Sequence, residues 1–354
     1  MRVYLNHFQN VLYDTWGTGT FPAHFAYGAT HLGDYGIDVV VRRHRFLSSR
    51  VALMIETACH VLFARRRYDA VYAPTSYFGL EIVIFLRALR LFRGRIVVWH
   101  HKPVITPPGR LRNTLGRLFY RGIDDFVFFS EKIARESTLT RKVPPERVHI
   151  GHWGPDLDFY DRVLQRVATD GGCDRRTFIS TGKERRDMTT LVEAFNRAAE
   201  PIDIYTTRGN MGSDYAAILG ATERNDNVRV HFTEGFLQGE LCYKVARAGC
   251  VCVCCRETDY TVGLTTVVEA LALGLPLICS RNPQIPIDID GEGCGISVPY
   301  GDVDAWVAAI RRIADRPDEA AAMGRRGRAL AERRFNDRLC AREIAAVLQG
   351  KSDR

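Results

Sequence analysis

Residues 258–282 read TDYTVGLTTVVEALALGLPLICSRN, and the reading of this stretch decides the fold. Small and hydroxyl-bearing residues up to Gly263 make a loop. Residues 265–273 then carry apolar side chains at helical spacing. Gly274 closes that helix, as glycine commonly does one position past a C-terminus. After Leu275-Pro276 the apolar run 277–279 reads as a strand. Loop, helix, tight turn and strand are the alternation of an α/β domain. A loop at a helix N-terminus offers unpaired N–H groups and the positive end of a helix dipole, which suits a phosphate. Glu269 lies one turn into the helix, placed to accept two ribose hydroxyls while phosphates occupy the loop. The same pattern fits a surface glutamate on an ordinary helix, and spacing alone does not choose.

The run GLTTVVEALALGLPLI, residues 263–278, resembles the donor-binding signature of GT-B glycosyltransferases, the retaining family 4 group in particular. The resemblance implies an α/β protein of GT-B architecture, with two Rossmann-like, doubly wound parallel-sheet domains facing each other across a cleft. It implies that Glu269 holds the ribose of a nucleotide sugar. The loop amides at Gly263, Leu264, Thr265 and Thr266 would hold its diphosphate and sugar. The family's E-x7-E pattern would put a second glutamate at 261, where this chain has Thr261. Glu257 and Asp259 stand nearby as substitutes.

Working outward, the alternation fills the chain. Strands are expected at 2–6, 37–41, 68–73, 95–99, 124–129 and 148–150, with a helix over 21–35 and another over 78–91. The loop after the first strand contains Gly17 and Gly19, which in the family's first domain would let a ligand approach the backbone closely. The passage FVFFSEKIAREST…VPPERVHIGHWGPDLDFY, residues 126–160, also resembles the family, with Ser130 a good helix N-cap and Gly154-Pro155 a plausible hinge. The second half restarts with five strands, at 177–180, 202–206, 228–232, 250–254 and 277–279, separated by helices. The expected domains are an acceptor domain over 1–155, a donor domain over 156–336, and a last helix, 337–354, crossing back to the first domain.

Transfer from a nucleotide sugar needs a diphosphate leaving group to be stabilised as the sugar–oxygen bond breaks, which fixed cations do without a metal. Between the strand at 177–180 and the helix at 188–198 lies TGKERRDM, where the family carries an Arg and a Lys. Lys183 falls where the Arg belongs and Arg186 where the Lys does. A solvated basic turn is the plainer alternative. Gly235 and Phe236 lie where the family passes its backbone beside the nucleobase. His100 and His101 end an apolar strand where the resemblance implies a histidine near the donor sugar and acceptor, with His101 the favoured one of the pair. No metal-ligand spacing is visible and no cofactor is expected; Asp288-Ile289-Asp290 reads as a surface turn.

At 354 residues, 46% apolar and 25% charged, the chain suits two ordinary globular domains. It has no run of ~20 apolar residues long enough for a membrane span, and MRVYLNHF lacks the apolar core of a signal peptide. A cytoplasmic protein is therefore expected. Cys250, Cys252, Cys254 and Cys255 crowd one strand with alternate faces, which suits buried thiols better than a metal or disulfide framework. Residues 1–150 hold 22 Lys and Arg against 11 Asp and Glu, while the remainder holds 27 against 30. A basic first half points to an anionic partner. Basic helical stretches at 82–93 and 109–121 suit an anionic membrane surface, reached from its inner face, and a lipid-linked acceptor. No nucleic-acid motif is present, and aromatic residues are not interleaved with the basic runs. The function expected is transfer of a sugar from a UDP- or GDP-sugar to a glycan, glycolipid or other hydroxyl, metal-independent and retaining. An epimerase of the same fold, or a binding protein with a degenerate transferase fold, are the alternatives.

Overall fold

A computed structural model describes residues 1–233 and 238–351. The chain divides into two compact units, one made of Met1–Gly154 and the chain from Asn336 onward, the other of Pro155–Phe335. Each unit is built on a six-stranded parallel sheet.

The first sheet contains β1 (Arg2–Leu5), β2 (Asp38–Val41), β3 (Ala70–Ala73), β4 (Arg95–His100), β5 (Asp125–Phe128) and β6 (Val148–Ile150), ordered 2-1-3-4-5-6. Its helices are the short α1 (Asn10–Asp14), then α2 (Arg50–Leu62), α3 (Glu81–Ala88), α4 (Arg110–Arg121) and α5 (Glu131–Thr138). The central strands read as continuous apolar runs because helices cover both faces of the sheet; all four residues of β3 and of β5 are buried.

One expected helix is different. Residues 21–35 form two 3-10 stretches, Ala23–Ala26 and Ala29–Tyr35, instead of a single α-helix. Gly28 between them has φ +78°, and a Cβ there would meet the backbone of Ala341 at 2.7 Å. That backbone belongs to the last helix of the chain, α13, introduced below. Close packing against it, available only to glycine, breaks the α-helical path.

In the second unit, α6 (Leu157–Thr169) precedes β7 (Phe178–Thr181), α7 (Met188–Ala198) and β8 (Ile202–Thr206). A two-residue hairpin, β9 (Gly209–Asn210) and β10 (Ser213–Asp214), leads to α8 (Tyr215–Ala221) and β11 (Val228–Phe232). Then come α9 (Gln238–Arg247), β12 (Cys250–Val253), α10 (Leu264–Ala272), β13 (Leu277–Ser280) and β14 (Gly295–Val298). Two helices, α11 (Val303–Asp315) and α12 (Pro317–Arg333), close the unit, and α13 (Asp337–Gln349) belongs to the first one. The sheet order is 11-8-7-12-13-14. β14 is a sixth strand beyond the five expected. Its sequence, GISV, is short and opens with glycine, so nothing in its pattern separates it from a turn.

The buried thiols follow from this sheet. β12 lies in its interior, so both faces are covered, and Cys250, Cys252, Cys254 and Cys255 are all buried and free.

α13 is tied to the first unit by polar contacts as well as packing. His31 Nε2 lies 2.8 Å from Asp337 Oδ2, and the Glu343 carboxylate accepts from the amide and ring of His152 at 2.9 and 2.8 Å.

Candidate active site

The organising stretch folds as its pattern implies. Gly263 adopts φ +90° and supplies no side-chain cap to α10, whose first turn opens behind it. A Cβ at Gly263 would lie 2.7 Å from Val253 Cγ1, so the loop runs tight against β12. The loop is braced from two sides. Asn282 donates its side-chain amide to the carbonyls of Tyr260 and Val262 at 2.9 and 3.3 Å. Tyr260 in turn donates its hydroxyl to Glu184 at 2.6 Å.

Glu269 sits on α10 facing α6. Its Oε1 accepts a 2.9 Å hydrogen bond from Tyr160, which is fully buried. Its Oε2 makes no hydrogen bond among the described residues. Burial pushes the Glu269 carboxyl up to about 7, against the opposing pull of the Tyr160 hydroxyl and the positive charge of Arg186. A preoriented carboxyl with one oxygen uncommitted is suited to hydroxyl recognition.

Arg186 is the most constrained cation of the site. It is 4% exposed, and its guanidinium places all five N–H donors. Nε and Nη2 donate to the Thr181 carbonyl at 3.1 and 3.0 Å, and Nη1 to the Glu184 carbonyl at 3.1 Å. The remaining two reach Cys255 Sγ at 3.3 Å and Thr266 Oγ1 at 3.1 Å. Arg186 therefore fastens the loop after β7 to the first turn of α10. Gly182, at φ +111°, makes this possible, since a Cβ would lie 2.2 Å from Arg186 Nη2. Lys183 stands on the same loop, half-buried, and Arg185 is exposed. The Arg186 donors are thus taken by the protein, leaving its charge to act at short range.

The remaining expected residues are placed as follows. Thr265 is half-buried, Thr266 and Leu264 are buried, and Glu257 and Asp259 are exposed on the loop before Thr261. Gly235 and Phe236 lie outside the described residues. In the first unit Gly17 and Gly19 are exposed, with φ of +74° and +68°. His101 donates from Nε2 to the Pro74 carbonyl at 3.1 Å, which orients its ring. His100 must be corrected. It points into the core, with its ring 5.4 Å from those of both Phe126 and Phe128, and burial pushes it down to about 3. A ring so placed stays neutral and out of reach of a substrate.

Tyr160, Glu184, Tyr260 and Asn282 were not anticipated. Each works through a partner distant in sequence, so no local spacing announces it. Among the described residues no group of three or more His, Cys, Asp or Glu is arranged to hold a metal ion.

Residues 175–316 match the family model described as Glycosyl transferases group 1. The full backbone superposes on a glycosyltransferase from Rickettsia africae with TM-score 0.70 at 11% identity, covering 99% of each chain. This chain has the GT-B fold, and within its second unit residues 175–316 are similar to group 1 glycosyltransferases. Anabaena HepE in complex with UDP superposes with TM-score 0.67 at 13% identity, again over 99% of each chain. In sequence, an MMP α-(1→4)-mannosyltransferase from Mycolicibacterium hassiacum is 31% identical over 238 residues, 65% of this chain. This chain spans 54% of that relative's length. The D-inositol 3-phosphate glycosyltransferase of Saccharomonospora viridis is 36% identical over 66 residues, 19% of this chain and 15% of that one. The matched segment begins just before β7 and ends with α11, so it takes in the Arg186 loop, the α10 loop and Glu269.

Proposed function

We propose that this protein is a glycosyltransferase that moves a sugar from a UDP- or GDP-sugar to a hydroxyl of a glycan, glycolipid or other acceptor. The observation that carries the reading is the arrangement at the start of α10: an uncapped first turn, the Arg186 charge anchored to Thr266, and Glu269 held by Tyr160 with one oxygen to spare. The ribose hydroxyls bind Glu269 Oε2. The diphosphate meets the α10 amides, Lys183 and the field of Arg186, which together oppose the charge that develops as the sugar leaves. Fixed cations supply this stabilisation without a metal, and the departing phosphate takes the acceptor's proton, so that configuration is retained. In the first unit, His101 is the histidine offered to the acceptor hydroxyl. The relatives' names, which include a mannosyltransferase and an inositol phosphate glycosyltransferase, support a sugar donor and a hydroxyl acceptor.

Donor hydrolysis across a panel of UDP- and GDP-sugars, with and without EDTA, tests the reading. Turnover of one donor that survives EDTA is expected. Interconversion of the donor sugar with no acceptor consumed would instead mark an epimerase. Glu269→Ala is expected to weaken binding of the nucleoside diphosphate at least tenfold, about 1.4 kcal/mol, with the fold intact. Because an ionised carboxylate is the better acceptor, wild-type affinity should also decline as pH falls through about 7, where Glu269 titrates. Calorimetric titration at pH 6 and pH 8 reads both effects. Equal affinity in variant and wild type would remove Glu269 from the site.

The membrane expectation gains a specific surface. No helix among the described residues is long and apolar enough to cross a membrane. On α4, however, Leu111 is 73% exposed beside exposed Arg110, Arg112, Arg117 and Arg121. At about 1 kcal/mol per basic residue, co-sedimentation with anionic vesicles at low salt is expected. It should disappear toward 1 M salt, where the Debye length shrinks to ~3 Å. Equal binding to neutral vesicles, or none to either kind, would leave a soluble acceptor.

A further inference from the structure

Beyond the end of β2 lies a cavity of about 460 Å³, lined by the last residues of that strand, Tyr13, Arg42, Arg43, Arg45 and His60. All of these belong to the first unit, and none is part of the nucleotide site. The cavity stands at the C-terminal edge of a parallel sheet, where open α/β sheets bind ligands.

Its backbone is held firmly. Asn10 grips His44 on both sides, donating to its carbonyl at 2.8 Å and accepting from its amide at 3.0 Å. The Glu56 carboxylate accepts the Arg45 amide with both oxygens, at 3.0 and 3.1 Å. These clamps fix residues 43–45 and leave three arginine side chains fanned around one mouth. Arg43 pairs with Asp14 at 3.0 Å. The guanidinium groups of Arg42 and Arg45 form no ion pair among the described residues; Glu56, which holds the Arg45 amide, is also paired with His44 at 3.7 Å.

Behind the arginines, buried polar atoms lack partners. His44 is 3% exposed and its Nδ1 lies 3.7 Å from the Glu56 carboxylate, while His60 Nδ1 is buried with no hydrogen-bond partner among the described residues. Burial pushes His60 below its ordinary value, with the Glu56 carboxylate opposing the shift and Arg42 and Arg45 adding to it. A buried ring nitrogen without a partner, beside two arginines outside any ion pair, is what an anion satisfies.

We infer that this cavity binds the phosphate monoester of a phosphorylated sugar. The forked guanidinium groups match the three oxygens of a phosphate better than the two of a carboxylate. The exposed ring of Tyr13 offers a flat apolar face to the sugar beside it, and the volume suits a hexose phosphate. Naming that sugar as the acceptor rests on the transferase reading above; the binding site itself does not.

The test is calorimetric titration of the full chain, without nucleotide, against glucose 6-phosphate, inorganic phosphate and glucose. Glucose 6-phosphate is expected to bind, inorganic phosphate more weakly, and glucose not at all. The double variant Arg42→Gln/Arg45→Gln should weaken sugar-phosphate binding at least tenfold. Arg93→Gln, exposed elsewhere on the same unit, should leave it unchanged. Nanodiscs containing phosphatidic acid form a parallel arm: binding there but not to the soluble sugar phosphate assigns the phosphate to a lipid headgroup and overturns the sugar. Undiminished binding in the double variant, or no response to any phosphorylated probe at about 10 mM, overturns the site. If sugar phosphate binds yet leaves donor consumption unchanged, the site stands and its acceptor role falls. Since no nucleotide is present, failure here is separate from failure of the donor site.

Discussion

Acidification from pH 7.5 to pH 5 is expected to destabilise the first unit strongly while leaving the second unharmed. His7, His24 and His100 are all buried in the first unit, and burial pushes them down to about 4, 3 and 3. In the unfolded chain an imidazole titrates near 6.5. Unfolding between these values therefore takes up protons. The stability these rings confer is complete above pH 6.5 and is lost as pH falls toward their folded values. At pH 5 the loss is on the order of 2 kcal/mol per ring, or about 6 kcal/mol together. That is comparable with the whole stability of a domain, about 5–15 kcal/mol. His44 and His60, also lowered by burial, act in the same direction. Carboxylates are not the cause at this pH, since Asp125, paired with His149 and Arg95, stays below its ordinary value.

In the second unit Glu269 works with the opposite sign. Its folded pKa of about 7 exceeds the unfolded value, so its contribution is full below about 4.5 and declines as pH rises through 7. Calorimetric scans at the two pH values should show the first unit's transition moving down by about 10 °C or more at pH 5. Tryptophan fluorescence reports it, because Trp16, Trp99 and Trp153 lie in the first unit and only Trp306 in the second. His100→Leu, which keeps the core apolar, should reduce the slope. A transition that does not move between pH 7.5 and 5 would mean these rings are not held neutral.

The division between what the residues announce and what they conceal follows from locality. The stretch 258–282 was legible because its signals are local: a glycine before a helix, a glycine after it, apolar spacing between. The five stronger strands of the second sheet were legible for the same reason, and β14 was not, being four residues with no flanking contrast. The helix expected over 21–35 failed because its break is imposed by α13, more than 300 residues away, pressing on Gly28. His100 and His101 are indistinguishable as letters. Strand alternation sends one inward between two phenylalanines and the other toward Pro74. Residues 42–67 carry no motif, and the arginine-lined cavity emerges there only once β2 and α1 are side by side. Arg186 was found from a family position, but its way of acting was visible only in the five contacts it makes.

Those five contacts give the second large effect. Arg186→Ala is expected to cost both stability and turnover, whereas Lys183→Ala should cost turnover alone. Removing the guanidinium leaves the Thr181 and Glu184 carbonyls and the Thr266 hydroxyl short of a donor in a buried setting. At about 1–3 kcal/mol for each buried group left unpaired, the loss is about 3 kcal/mol or more. It should appear as a lower unfolding midpoint of the second unit in urea. Turnover should fall by about 10²–10³, the range for removing one preorganised electrostatic contact at developing charge, and kcat should fall more than the donor KM rises. Lys183 is half-buried on the same loop, so its truncation should lower kcat with the urea midpoint unchanged. Arg186→Lys separates charge from geometry. It retains the cation, but a single ammonium with three donors cannot span Thr181, Glu184, Cys255 and Thr266. Stability should stay low, and any turnover recovered belongs to charge alone. Gly182→Ala provides an independent check, because its Cβ would occupy the position of Arg186 Nη2 and displace the guanidinium with the arginine still present. It should reproduce the Arg186→Ala phenotype. A Gly182→Ala protein with normal stability and turnover would show that the loop does not depend on the guanidinium beneath it, and the site would have to be rebuilt around Lys183 and the α10 amides.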